Sequence, residues 1–193
     1  MPSRMNLMLS YALLVFIWAT TPLAIVWSVA DLHPMWALVL RFFIALPLAP
    51  TILMLLRIQF PTHKIALFSY IAGSLSLIGS QIFTYAATAY LSSGLIALMF
   101  GLAPIMAGLI GRFAFQQKLA GLQWLGMGTS IAGLALICLS GSQKHVQPIG
   151  IVLMLISVFG YSLSIFLVKK INADVQPMAQ ATGSILVSTV LAA

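Results

Sequence analysis

Residues 7–35 read LMLSYALLVFIWATTPLAIVWSVADLHPM, and no charged side chain occurs from Leu7 to Ala30. A helix rises about 1.5 Å per residue and the hydrocarbon core of a bilayer is about 30 Å thick, so roughly 20 apolar residues cross it. The stretch therefore predicts a membrane-spanning helix that stops before Asp31-Leu32-His33-Pro34. Ser28-Val29-Ala30, with Arg4 upstream, also has the small-x-small form of a leader cleavage site. A leader's apolar region is about 7–15 residues, however, and this run is longer and carries Trp18, Pro22 and Trp27. It reads as a retained span.

The rest of the chain repeats that pattern. Charged or turn residues divide it into further apolar segments: Met35 to Leu56, Ile65 to Thr88, Ser92 to Phe113, Leu122 to Leu139, Ile149 to Val168, and Pro177 onward. The seventh is still apolar at Ala193, which leads us to expect a piece of a longer chain. Of the 193 residues 62% are hydrophobic and 6% charged, where a soluble domain has about a quarter charged. Mean hydropathy of +1.11 also points to lipid as the solvent, and so much apolar surface excludes disorder. The net charge of +7 is spread along the chain without a patch or stripe, so no nucleic-acid partner is expected. The single cysteine, Cys138, cannot form an internal disulfide and leaves the redox compartment open.

The basic residues carry topology instead. With the amino terminus inside, Arg4, Arg57, Lys64, Arg112, Lys118, Lys169 and Lys170 fall on the cytoplasmic side, against Lys144 alone in an external loop. That bias predicts a cytoplasmic amino terminus.

The opening stretch also recurs. Val15-Phe16 returns as Val158-Phe159, Asp31 as Asp174 and Pro34-Met35 as Pro177-Met178, all at an offset of 143 residues without a gap. Trp18 falls opposite Tyr161 and Ala19 opposite Ser162. The offset covers five apolar segments, an odd number, so the second copy must lie upside down: an inverted-topology repeat. Lys169-Lys170 fit that inversion, because they follow the segment that would end on the inner side. The expected organisation is a first five-helix repeat over 1–141, a linker over 142–148, and the start of a second, inverted repeat over 149–193. The fold class is all-α and polytopic, with seven spans present. A complete second repeat would add three more and bring the chain to about 290 residues.

Trp18 in the first span, Arg41-Phe42 early in the second, and Ser92-Ser93-Gly94-Leu95-Ile96-Ala97-Leu98 through Ala103-Pro104-Ile105 form a wider pattern. Gln123-Trp124-Leu125-Gly126 with Ala132-Gly133 completes it. In these residues the chain resembles the EamA-type carriers of the drug/metabolite transporter superfamily. The resemblance implies ten spans in two inverted repeats, cytoplasmic termini, and exchange or export of small metabolites across the inner membrane. It departs at Phe115-Gln116-Gln117-Lys118-Leu119, where the family commonly has an acidic residue.

Polar groups at membrane depth are costly and mark candidate sites. Arg41 lies about 9 Å inside the second span at helical rise and could attract an anionic substrate group, or snorkel and cap freed carbonyls. In Thr20-Thr21-Pro22 the proline leaves the carbonyl of Trp18 without its helical donor, and Pro104, beside Gly101, does the same to Phe100. Pro22, Gly101 and Pro104 are therefore candidate hinges or packing kinks, with the threonine hydroxyls able to satisfy the first carbonyl. In the third span Gly73, Ser76, Ser80, Thr84 and Thr88 recur at spacings of three and four, flanked by Gln81 and Tyr85. Such a stripe either packs helices or lines a wet cavity; the flanking Gln81 and Tyr85 favour the cavity. Trp18 and Tyr161 would be its apolar walls. Ala103, Ala107 and Gly111 read as a packing ridge.

Enzymatic chemistry has little to work with. Asp31 and Asp174 are the only acids and lie in loops at opposite faces, so no carboxylate pair forms. His33, His63 and His145 are dispersed, which excludes a metal cluster, and no Gly-Lys phosphate loop occurs. No cofactor or metal is expected, and no embedded carboxylate is present for proton coupling. The expectation is a multi-pass inner-membrane secondary carrier for a small molecule, with substrate near Trp18, Thr21, Arg41, Ser80, Gln81, Thr84, Tyr85 and Tyr161. The rival is a non-transporting membrane protein, or an inactive truncated carrier, whose polar stripes only pack helices. Substrate, direction, coupling ion, and monomer or homodimer stay open.

Overall fold

The computed structural model describes residues 4–114, 116, 119–139 and 147–192, with side chains from residue 8 onward except at 138 and 139. Lys118, Lys144, His145, Phe115, Gln117, most of the 142–148 linker, and the side chains of Arg4 and Cys138 lie outside that description. The described residues fold into seven helices without a strand: α1 (Arg4–Ser28), α2 (Pro34–Leu55), α3 (Lys64–Ala87), α4 (Ser93–Ala114), α5 (Gly121–Leu139), α6 (Pro148–Ile171) and α7 (Pro177–Ala192). Five of them, α1 to α4 and α6, are long and apolar enough to cross a membrane. The other two, α5 and α7, are apolar and shorter over their described residues, so seven apolar helices stand where seven spans are expected. Proline opens α2, α6 and α7, where its missing N–H has no helical acceptor to lose. The His33 ring caps α2 by accepting from the Met35 N–H at 3.3 Å, and Ser92 caps α4 through Leu95.

Two helices depart from regular geometry. Within α3, Leu75–Gly79 forms a π turn between the α-helical pieces Lys64–Ser74 and Ser80–Ala87. Helix α4 breaks after Phe100 and resumes at Ala103. By contrast α1 runs through Pro22 without a break. Its threonine hydroxyls do not serve the carbonyl that Pro22 frees: Thr20 Oγ1 donates to Phe16 O at 2.8 Å and Thr21 Oγ1 to Ile17 O at 2.6 Å.

Helix α6 sits at the centre, packed along α3 and against the second half of α4. Helix α7 lies against the first half of α3 and against α2, while α1 rests on the first half of α4. One apolar cluster (Ala87, Leu95, Ile96, Met99, Met154 and Val158) joins α3, α4 and α6, and a second (Ile25, Ala37, Leu38, Phe42 and Tyr85) joins α1, α2 and α3. Helix α5 is peripheral, with no buried side chain among its described residues, and touches the first cluster through Met127 and Leu134.

In lipid, apolar surface gives helices no reason to associate, so close approach and hydrogen bonds must do so. Both occur. Ser157 Oγ of α6 lies 2.8 Å from Ser80 Oγ and 2.7 Å from Thr84 Oγ1, all three buried. Ser164 Oγ donates to Ala72 O at 2.7 Å. On the other face of α3, Ser69 Oγ donates to Gln180 Oε1 at 2.6 Å and Gln180 Nε2 returns a bond to Ser69 O at 2.8 Å. Gly73 permits this second contact, since a Cβ there would meet Ser184 Oγ and Gln180 Nε2 of α7. The outside is apolar: Phe16, Trp27 and Trp36 are all about two-thirds exposed, as are many neighbours. The accessible surface is 12484 Å², where a water-soluble chain of this mass exposes about 9,000 Å². An all-helical, multi-pass membrane architecture accounts for both features.

Candidate functional site

The break in α4 and the π turn in α3 face one cavity of about 790 Å³. In α4, Pro104 has no N–H for the carbonyl of Phe100, and the chain tightens instead. Gly101 N–H reaches Leu98 O at 3.0 Å and Leu102 N–H reaches Met99 O at 3.0 Å. Glycine is needed at 101 because a Cβ would stand 2.9 Å from Leu98 O. In α3 the π turn turns Ser76 and Leu77 toward the cavity and leaves Gln81 one turn further along. π turns of this kind recur at functional sites.

Trp18, Thr21 and Pro22 from α1, Arg41 from α2, Gln81 from α3, Gly101 and Pro104 from α4, and Tyr161 from α6 all line this cavity. These are eight of the residues picked out in the sequence, drawn from five helices. Ser80, Thr84 and Tyr85 are not among its lining residues. Ser80 and Thr84 are buried against Ser157, and Tyr85 is buried in the cluster with Phe42. The physical reason is the π turn. The stripe of spacings three and four assumed a regular helix, but the extra residue rotates the remainder of α3 about its axis. Gly73 faces α7, Ser76 faces the cavity, and Ser80 and Thr84 face α6.

The walls are aromatic. The Tyr161 ring receives Trp18 at a centroid separation of 6.0 Å and an interplanar angle of 70°, and Phe100 at 6.3 Å and 83°. Edge-to-face pairs suit the ring quadrupoles. Two polar groups differ from the rest. Arg41 brings a positive charge, and neither acid of the chain, Asp31 or Asp174, lines the same cavity. Gln81 Oε1 is buried with no hydrogen-bond partner among the described residues. Phe100, Ser76 and Ser162 also line the cavity and were not singled out as binding residues. Ser162 had a signal, as the counterpart of Ala19 at the 143-residue offset.

A second cavity of about 840 Å³ lies between α3, α6 and α7 and reaches Lys169, Asn172 and Asp174. Both cavities are lined by Ser76, Leu77, Tyr161 and Ile165, so they meet at the π turn and the Tyr161 ring. Five lining residues of the first stand 143 positions before five of the second. Trp18, Thr21, Pro22, Ile25 and Arg41 line the first; Tyr161, Ser164, Ile165, Val168 and Ser184, their counterparts, line the second.

No curated protein and no solved structure matches the chain. The model of the EamA-like transporter family matches residues 6–139, which include α1 to α5 from near the start of α1 to the end of α5. Its span takes in the cavity-lining positions of α1 to α4 and well over half of the sequence. By that match the chain belongs to the EamA-like transporter family.

Proposed function

We propose that the protein is a secondary carrier, an exporter or exchanger of small metabolites or drugs, working by alternating access between two inverted repeats over 1–141 and 149–193. The observation that carries this reading is the pair of cavities related by the 143-residue offset and divided at Tyr161. An inverted repeat produces one such cavity for each side of the membrane, with the substrate site where they meet near the midplane. Helices α2 and α7, equivalent under the offset, also pack against each other, as elements beside a pseudo-two-fold axis would.

In this reading the amino terminus is cytoplasmic and the membrane is the inner membrane. The 840 Å³ cavity, ending at Lys169, then faces the cytoplasm. Substrate binds among Trp18, Thr21, Arg41, Gln81 and Tyr161. Ser80, Thr84 and Tyr85 form the wall behind, holding α3 in place. Movement is taken up at Gly101 and Pro104, with Pro22 letting α1 flex. Neither acid of the given sequence is an embedded carboxylate, since both lie in loops.

Flux in proteoliposomes tests the carrier reading. Gln81→Ala is expected to lower solute flux several-fold while membrane insertion is unchanged. Unaltered flux removes Gln81 from the site, and no flux of any small solute by the wild type overturns the reading.

A further inference from the structure

Helices α3 and α7 run side by side at one register. Ser69 is bonded to Gln180 and Gly73 faces Ser184, and both pairs are 111 residues apart. Carried one turn further, that register brings Ser188 level with Leu77, inside the π turn, and Ala192 level with Gln81 one turn beyond. Ala192 packs with Leu77, Ile78 and Ile82 around one apolar cluster, so the register holds to the end of α7. Ser188 is fully buried, and its Oγ has no hydrogen-bond partner among the described residues. Thr182 and Thr189 of the same helix donate to carbonyls four residues back, at 3.0 and 2.8 Å. Ser188 makes no such bond.

The other buried side-chain atom without a partner among the described residues is Gln81 Oε1. Side chains on a helix lean toward its N-terminus, so Gln81 reaches back over the π turn, toward the height of Ser188. Its oxygen can only accept, whereas a serine hydroxyl can donate. We propose that one buried water joins the two: it accepts from Ser188 Oγ and donates to Gln81 Oε1. Two protein partners fall within the range that buried waters use, and ordered water is a common way to satisfy polar groups beside an irregular turn of a membrane helix. With Oε1 held inward, the Gln81 amide keeps Nε2 for the cavity that the residue lines. Ser188 is thus a positioning residue for Gln81. That use rests on the carrier reading, whereas the water rests on burial and register alone.

A double-mutant cycle on the Tm of the full chain in detergent tests the water. Ser188→Ala and Gln81→Leu each leave one polar group buried and unserved, so each should lower Tm by about 2–4 °C. The double variant removes both groups, and its Tm should lie no lower than that of either single variant. Single variants that raise Tm, or losses that simply add, would overturn the proposal. So would a high-resolution map in which the two side chains bond directly or no density lies between them; density about 3 Å from both oxygens upholds it. Solute flux in proteoliposomes reads the positioning role. Ser188→Ala should lower flux several-fold beside Gln81 and change nothing further in the Gln81→Leu background; an equal loss in both backgrounds removes that role. Non-additive Tm without wild-type flux upholds the water and removes the carrier, whereas wild-type flux with additive Tm does the opposite.

Discussion

The rings of Trp18 and Tyr161, at equivalent positions 143 residues apart, meet edge to face with centroids 6.0 Å apart. Positions related by a two-fold rotation are equally distant from its axis, so two that touch each other must lie beside it. Under the proposed repeat, the Trp18–Tyr161 contact marks where the two halves turn against each other, and Phe100 braces the same ring from α4. An edge-to-face pair contributes about 0.5–1.5 kcal/mol beyond its buried area.

Trp18→Ala should therefore shift the balance between open and closed passage by about threefold to tenfold. A water-soluble thiol reagent reads this at Ser76→Cys in a Cys138→Ala background. The reaction rate should rise several-fold when Trp18 is removed; an unchanged rate would detach the ring pair from any role as a barrier.

Ser157 is the shared partner of Ser80 and Thr84, and it also donates to Ser80 O at 2.9 Å. Hydrogen bonds between membrane helices average about 0.6 kcal/mol, with the strongest near 1.7. Ser157→Ala should destabilise the protein by about 1–2 kcal/mol, seen as a lower Tm in detergent. Thr84→Cys should stay unreactive toward the soluble thiol reagent, because Thr84 is fully buried in this knot.

How much of this was legible in the sequence depended on what each residue's role required of its neighbours. Long uncharged runs need only lipid, so the helices α1 to α4 and α6 were readable within a few residues of their ends. Pro104 beside Gly101 announced the break in α4, because a missing N–H is a local property. The stripe through Ser76, Ser80 and Thr84 was not readable in the same way. A hydroxyl is wet or dry according to what the facing helix presents, and Ser157 is 73 residues beyond Thr84. The π turn at Leu75–Gly79 left no composition signal, and it alone separates Ser76 in the cavity from Ser80 in the knot. The second cavity has no local signature either, since Ser164, Val168 and Ser184 stand out only as counterparts of Thr21, Ile25 and Arg41.

Gly73 offers a sharper test of close approach. Gly73→Ala should cost about 1–3 kcal/mol, since the new methyl must displace Ser184 Oγ and Gln180 Nε2. Adding Ser184→Ala removes the nearest of those atoms, so the double variant should recover part of the loss. Strictly additive effects on Tm would show that α3 and α7 do not press together there.

Orientation has its own measurement. His33 caps α2, and His63 precedes α3 at the opposite end of α2. In the Cys138→Ala background, His33→Cys should be labelled from outside intact cells by an impermeant thiol reagent, and His63→Cys only after lysis. The reverse pattern would invert the proposed topology.

The hydroxyl knot of Ser80, Thr84 and Ser157 joins α3 to α6 across the boundary of the proposed repeats, and Gln180 ties α7 to α3 in the same way. The strongest polar fastenings thus cross the boundary that the sequence draws. A rocking motion that separated residues 1–141 from 149–193 would have to tear them open at every cycle. In the proposed carrier the two repeats would therefore alternate access without parting as rigid halves, with α3, α6 and α7 as a stator. Against it α1, which meets α6 through the Trp18–Tyr161 ring contact, would be the part that swings in such a carrier. Gene duplication would then have supplied the symmetry, while the line of movement was set by where hydroxyls found partners.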